Sequence, residues 1–410
     1  MAAALVVWLL LVAAAPAGAQ TSDDLFDDNV VHDVKMWIHS ADWLKLKEDF
    51  RLNDYYPADL EWRGIVVRNV GIRSRGSGSR SGTKPGLRVD FDRYSGSQEL
   101  LGLKSIVLDN LTQDPSMIKE RVAMRFYQRM GYPAPRVANA RLFVNGEYAG
   151  LYAIVESIDK SFLRRVFGVN ASGSVENDGY LYEYKWLDNY QFQYLGGELE
   201  QYAARFEAKT HEHDSMTALY GPFEEMIRTI NGVRDEDFAA AVSSYLDLDV
   251  FMRYIAIDSF LADYDGFLGF YGVNNFYFYR FEKQTRGQLL PWDRDSVVYS
   301  TEMDVFQGAS DNILMRRALA VPEVRSAYLG WVMACAQSAS EPAEPDSPSG
   351  WLEREMIREV DQIRSFAYAD RFKPFSNAQF DDEVAKLMNF ARDRARTVLQ
   401  QVTPSTLRRR

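Results

Sequence analysis

Between residues 262 and 295 the chain sets acidic and amide side chains in an order that suggests chemistry. Ala262-Asp263-Tyr264-Asp265 is followed by Val273-Asn274-Asn275, and then by Pro291-Trp292-Asp293-Arg294-Asp295. The intervening stretches are apolar and aromatic and read as core. Carboxylates in such surroundings are costly to bury unless a cation or a hydrogen-bond network compensates them. Asp, then Asn, then Asp is also the order in which one class of phosphoryl-transfer enzymes presents a catalytic acid and two magnesium ligands. Asp263 and Asp265 compete for the first of these roles.

A second candidate is the glycine-rich segment Arg73-Ser74-Arg75-Gly76-Ser77-Gly78-Ser79-Arg80-Ser81-Gly82-Thr83-Lys84. A Gly/Ser loop lets backbone N–H groups approach phosphate oxygens, and its arginines and Lys84 add positive charge. The glycines do not match G-x-G-x-x-G, and no Walker motif is present. A plain hairpin loop and a solvated lysine are the structural alternatives. Other constellations are weaker. His211-Glu212-His213 sits in a polar stretch and reads as a solvated loop, and four histidines in all argue against a His-based metallohydrolase. No Gly-x-Ser-x-Gly elbow occurs. Cys335, the single cysteine, lies in an apolar helical run and reads as a buried thiol. The aromatic residues from Trp186 to Tyr194 read as packing.

The elements that must position these residues divide near residue 156. Before it, alternation of apolar and polar residues predicts strands over 34–39, 64–73 and 87–91. Asp114-Pro115-Ser116 opens an amphipathic helix over 117–130, stopped by Gly131. Strands over 140–144 and 151–155 flank Asn145-Gly146, a strong hairpin signal. After Glu156 the pattern is mainly helical, broken by short strands over 275–281 and 289–292. Residues 336–350, rich in Ala, Ser, Glu and Pro, read as an exposed loop, and a helix over 377–402 closes the chain.

Composition sets the outer limits. The 410 residues are 47% hydrophobic and can bury a large core in two lobes. With 58 acidic and 47 basic residues the net charge is −11, which argues against a nucleic-acid partner. An apolar run from Leu5 to Ala15, followed by Ala17-Gly18-Ala19, reads as a secretory signal peptide over 1–19. No other segment is long and apolar enough to cross a bilayer. The expectation is an exported protein, secreted, periplasmic or at the cell surface, and a monomer.

Several blocks in order resemble the CotH family of spore-coat-protein-H-like atypical kinases. They are Val70-Gly71-Ile72-Arg73-Ser74-Arg75-Gly76 with Lys84, Ile118-Lys119-Glu120-Arg121-Val122-Ala123, and Gly131-Tyr132-Pro133-Ala134. Next come Val144-Asn145-Gly146-Glu147-Tyr148-Ala149-Gly150-Leu151-Tyr152 with Glu156, and Asp159-Lys160-Ser161-Phe162-Leu163. Asn274-Asn275-Phe276-Tyr277-Phe278-Tyr279 and Pro291-Trp292-Asp293-Arg294-Asp295 complete the set.

The resemblance implies an α+β, protein-kinase-like fold of two lobes, a strand-rich nucleotide-binding lobe over 20–156 and a mainly helical lobe over 157–410. ATP and Mg²⁺ or Mn²⁺ would lie between them. Lys84 would neutralise phosphates and Glu120 would orient it through an ion pair. Arg75, Gly76, Ser77 and Gly78 would surround the phosphates, and Glu156 with Ile158 would form the hinge beside adenine. Asp265 would be the catalytic carboxylate. Asn275 and Asp293 would hold the metal, with Asn274 and Asp295 as neighbours. An oxygen-only set of this kind suits Mg²⁺ or Mn²⁺ rather than zinc.

Asp265 and Asn275 are ten positions apart where an ordinary kinase has five, His-Arg-Asp is absent, and Trp292-Asp293-Arg294 stands in place of Asp-Phe-Gly. The implied activity is transfer of the ATP γ-phosphate to Ser or Thr of exported proteins. A non-catalytic scaffold or adhesin and a metal-dependent phosphate hydrolase are the alternatives.

Overall fold

The computed structural model describes residues 20–169, 173–345 and 347–403. The signal segment expected over 1–19 lies outside them. In the first half, seven strands curl into a closed barrel: β1 (His32–Ile38), β2 (Tyr56–Trp62), β3 (Ile65–Arg75), β4 (Gly86–Asp90), β5 (Ser105–Asp109), β6 (Val137–Val144) and β7 (Glu147–Glu156). They hydrogen-bond in the order β1-β2-β3-β4-β5-β7-β6, and β1 closes the barrel by pairing parallel to β6. Alternate side chains turn inward, as the pleat requires. Val34, Met36, Trp62, Ile72, Val89, Leu108 and Ile154 fill the barrel. Closure leaves no free sheet edge here. Asn145 and Gly146 both adopt positive φ (51° and 86°), the tight turn their dipeptide predicts.

The second half holds a four-stranded sheet in the order β11-β10-β8-β9, built from β8 (Tyr180–Tyr184), β9 (Phe206–Ala208), β10 (Phe276–Arg280) and β11 (Gly287–Pro291). Helices surround it. The helix Lys119–Arg129 is chained to the first half, yet its Val122, Phe126 and Tyr127 belong to the second core, as do Leu151, Ala153 and Val155 on the outer face of β7. One continuous apolar layer therefore joins the halves.

Local departures from expectation have identifiable causes. The helix expected from residue 117 starts at Lys119, because the Asp114 carboxylate accepts from the backbone N–H of Ser116, Ile118 and Lys119 (2.8–2.9 Å) and Met117 takes φ 60°. Part of the loop expected over 336–350 is helix. Pro322–Ser340 runs on through it and buries Ala336 and Ala339, small residues on the packed face. Strands β2, β5, β8 and β9 were not anticipated. Cys335 is buried, as expected.

Candidate active site

The carboxylate segments meet because of strand pairing. β10 and β11 run antiparallel with Phe276 opposite Pro291. Asn275, just before β10, and Asp293, just after β11, therefore emerge side by side, and Trp292 N donates to Asn275 O at 3.3 Å. Asn275 and Asp293 both hold φ 56°, and Ala262 φ 54°. Asn and Asp tolerate left-handed backbone, so of the three only Ala262, beside Asp263, carries strain.

Asp265 is held by amides. Asn274 Nδ2 donates to its Oδ1 at 3.2 Å and Asn275 Nδ2 to its Oδ2 at 3.0 Å. Burial raises the Asp265 pKa, and these two bonds oppose the rise. Because Asn275 spends its NH₂ on Asp265, its Oδ1 is left over as an acceptor. Asp263, the competing candidate, is buried and engaged on both oxygens: Oδ1 accepts from Asp265 N at 2.9 Å and Oδ2 from Arg294 Nη1 at 3.0 Å.

The opposite wall comes from the barrel. Arg75 closes β3, Asp109 closes β5, and Glu120 lies in the first turn of the helix Lys119–Arg129. Arg75 Nη1 is 3.2 Å from Asp109 Oδ2, and its guanidinium lies 5.4 Å from the Trp292 ring centroid. Burial, together with repulsion from Asp109, Asp293 and Asp295, pushes Glu120 well above the usual carboxylate range. Burial pushes Asp293 up to about 6, with Arg75 drawing it down and Asp109 and Asp265 adding to the rise. Asp295 is raised well above its ordinary value by burial and then by Asp293 and Asp109. Arg75 is the cation that draws down both Glu120 and Asp293.

Carboxylates crowded around one guanidinium favour either protonation or an added cation. The carboxylates of Glu120 and Asp293 make no hydrogen bond or ion pair with any described residue. Among the described residues, no three Asp, Glu, His or Cys side chains are gathered closely enough to enclose an ion alone. The free Oδ1 of Asn275 and the carboxylate of Asp293 nonetheless suit a hard divalent cation that takes its remaining oxygens from phosphate and water, as Mg²⁺ does.

Lys84 is elsewhere, which corrects the ion pair expected with Glu120. It is fully buried, with Nζ 2.7 Å from Asp370 Oδ2 and 2.8 Å from Leu151 O, above the Tyr152 ring. Asp370 lies between the helices Trp351–Ala369 and Asn377–Val402, so the pair ties the barrel to the carboxy-terminal helices. The Glu156 side chain is likewise spent, on Arg136 (2.7 Å) and Arg165 (2.9 Å), which leaves only main-chain groups near it to face a ligand. Ile158 is buried.

The glycine-rich loop joins β3 to β4 and is fastened down. Arg80 donates to Gly76 O, Phe50 O and Leu52 O, and Asn110 Nδ2 to Ser79 O. Gly76 has φ 105°, and a Cβ there would stand 2.4 Å from Ser79 Oγ. Ser77 and Gly78 form the exposed tip. His211 stacks on Tyr180 at a solvent-facing loop, away from any cluster. Sequence reasoning missed Asp109, Asp258 and Asp370. Asp109 had a signal, a carboxylate directly after the apolar run Ile106-Val107-Leu108.

The sequence matches the family described as CotH kinase protein over residues 72–398, most of its length, and the chain belongs to that family. It is 24% identical over 372 residues to the inner spore coat protein H of Bacillus subtilis (strain 168), covering 88% of this chain and 94% of that protein. It is also 24% identical over 177 residues to invasin CotH2 of Rhizopus delemar, covering 42% of this chain and 28% of that one. Among solved structures, the Helicobacter pylori proinflammatory kinase CtkA aligns with 79% of this chain and 94% of its own, at 11% identity and a TM-score of 0.26. The kinase-like α+β assignment rests on the family match. No helix among the described residues is long and apolar enough to cross a membrane.

Proposed function

We propose that this chain is an exported atypical protein kinase that transfers the γ-phosphate of ATP to Ser or Thr of secreted or surface proteins. The observation that carries the reading is the gathering of Asp265, Asn275 and Asp293 opposite Glu120 and Arg75, from segments far apart in sequence. Asp265, its carboxylate held in place by two amide donors, accepts or orients the proton of the acceptor hydroxyl. Asn275 Oδ1 and Asp293 hold a Mg²⁺ or Mn²⁺ ion, which when bound neutralises phosphate charge.

Arg75 takes the phosphate-facing role first expected of Lys84, and Asp109 orients its guanidinium through their ion pair. The fastened loop at Gly76, Ser77 and Gly78 offers main-chain N–H groups to phosphate oxygens, and the main chain at Ser157 and Ile158 offers hydrogen bonds to adenine. Phosphoryl transfer asks for positioning and charge neutralisation more than covalent chemistry, and this set supplies both.

A second reading, a non-catalytic scaffold or adhesin, is favoured by the names of relatives, which include coat proteins and an invasin. Purified protein with γ-labelled ATP, Mn²⁺ or Mg²⁺ and a Ser-rich acceptor separates the readings. Label transfer that disappears in Asp265→Ala and Asp293→Ala supports the kinase. Release of free phosphate without transfer points to a hydrolase. No transfer and no nucleotide binding, with partner binding kept in Asp293→Ala, points to the scaffold.

A further inference from the structure

Arg294 follows Asp293 directly and is completely buried. Nη1 donates to Asp263 Oδ2 at 3.0 Å, and Nη2 donates to Asp258 Oδ2 at 3.2 Å and to Tyr254 Oη. The Tyr127 and Tyr254 rings flank the guanidinium at 5.9 and 5.6 Å.

Both carboxylates extend the connection to other parts of the site. Asp263 Oδ1 accepts from the backbone N–H of Asp265. Asp258 Oδ1 accepts from Tyr127 Oη, on the helix that carries Glu120, and Oδ2 accepts from Phe267 N at 3.4 Å. The loop after Asp265 passes so close that a Cβ on Gly266 would lie 2.9 Å from both Asp258 Oδ2 and Asp263 Oδ2. Segments bearing Asp293, Asp265 and Glu120 are thus all referred to one guanidinium.

Well-packed apolar residues commonly replace buried ion clusters with no loss of stability, so stability alone is a weak reason for this one. Its geometry supplies another. The residue next to a metal ligand reaches behind the cleft and grips the loop that presents the catalytic carboxylate. We infer that Arg294 is a positioning residue that holds Asp265 and Asp293 at a fixed separation through Asp263 and Asp258. The inference rests on the kinase reading of the cleft and adds to it the element that keeps its two halves in register. It also gives Asp263 a role as the anchor of Asp265.

The test compares the full chain with Arg294→Met, Arg294→Lys and Asp263→Asn, well below their melting temperatures. Turnover is measured alongside the affinity for Mn²⁺ with a non-hydrolysable ATP analogue, and amide hydrogen exchange is followed in the free protein. A misplacement of about 1 Å costs on the order of 100-fold in rate, so Arg294→Met is expected to lose about that much turnover with analogue affinity kept within about threefold. Arg294→Lys, which retains the charge but not the fork, should recover part of it. Exchange should quicken together at 263–266 and 293–295.

Turnover within about twofold of wild type in Arg294→Met would overturn the inference, as would turnover and analogue affinity falling in parallel. If Arg294→Met does not fold, Arg294→Lys and Asp263→Asn carry the same comparison. If the wild type transfers no phosphate, the kinase reading fails, and exchange still decides the coupling. Quickening in both segments supports it, and quickening at 293–295 alone refutes it.

Discussion

Lys84 offers a clean separation between a phosphate ligand and a structural strut. Its ammonium and the Asp370 carboxylate are both fully buried and 2.7 Å apart. Asp370 also accepts from Leu151 N at 3.0 Å and Phe372 N at 2.9 Å, and Lys84 donates to Leu151 O. Burial lowers the Lys84 pKa, and Asp370 opposes the shift. Removing one partner strands the other charge, at a cost of about 3–5 kcal/mol, whereas replacing both is often close to neutral.

Lys84→Met should therefore lower Tm by roughly 6–10 °C, at about 2 °C per kcal/mol for a chain of this size. Lys84→Met combined with Asp370→Asn, which removes the stranded charge and keeps an acceptor for one of the two backbone amides, should restore part of that loss. Calorimetry on the four proteins of the cycle gives the coupling energy, expected to be about 2 kcal/mol or more. Nucleotide affinity, measured in parallel by titration, should follow folding and return in the double variant. If Lys84→Met melts like wild type but no longer binds nucleotide, the strut argument is wrong and Lys84 is the phosphate lysine after all.

Two further predictions concern carboxylates. Asp293, pushed up to about 6, is a charge the metal-free fold disfavours, so its contribution to stability falls as pH rises through about 4 to 6. Asp293→Asn should match wild type near pH 4 and be more stable than it at pH 7 in chelator, by on the order of 1 kcal/mol because the half-buried carboxylate keeps some contact with water. Added Mn²⁺ should raise the Tm of wild type and leave the variant unmoved; equal shifts in both would refute a metal role for Asp293. Glu359, fully buried beside Arg121 at 3.4 Å, is pushed up to about 8 by burial, with Arg121 opposing the rise, so folding disfavours its charge. Wild type should lose stability relative to Glu359→Gln as pH rises from about 4.5 to 8 and then level off, and melting curves that stay parallel across that range would contradict the assignment.

Much of this protein was legible before folding was considered. Alternation marked β1, β3 and β4, Asn145-Gly146 marked the β6–β7 turn, and the closing helix fell at Asn377–Val402, because each signal is local and each element's own residues dictate it. The order Asp265, Asn275, Asp293 was legible for the same reason. Which cation faces those carboxylates was not. Lys84 and Arg75 lie at opposite ends of one short loop, and nothing in their types says which one turns toward the cleft.

Closure of the barrel decides it. Ile72 and Ser74 on β3 are buried, so Arg75 is turned outward toward Trp292 and Glu120, while Lys84, just before β4, is carried under the carboxy-terminal helices to Asp370. Side-chain direction in a strand depends on register, and register is set by partners distant in sequence. The same holds for Asp263 and Asp265, two residues apart and alike in chemistry. Only the packing of Arg294, thirty-one positions from Asp263, makes one an anchor and leaves the other facing the cleft.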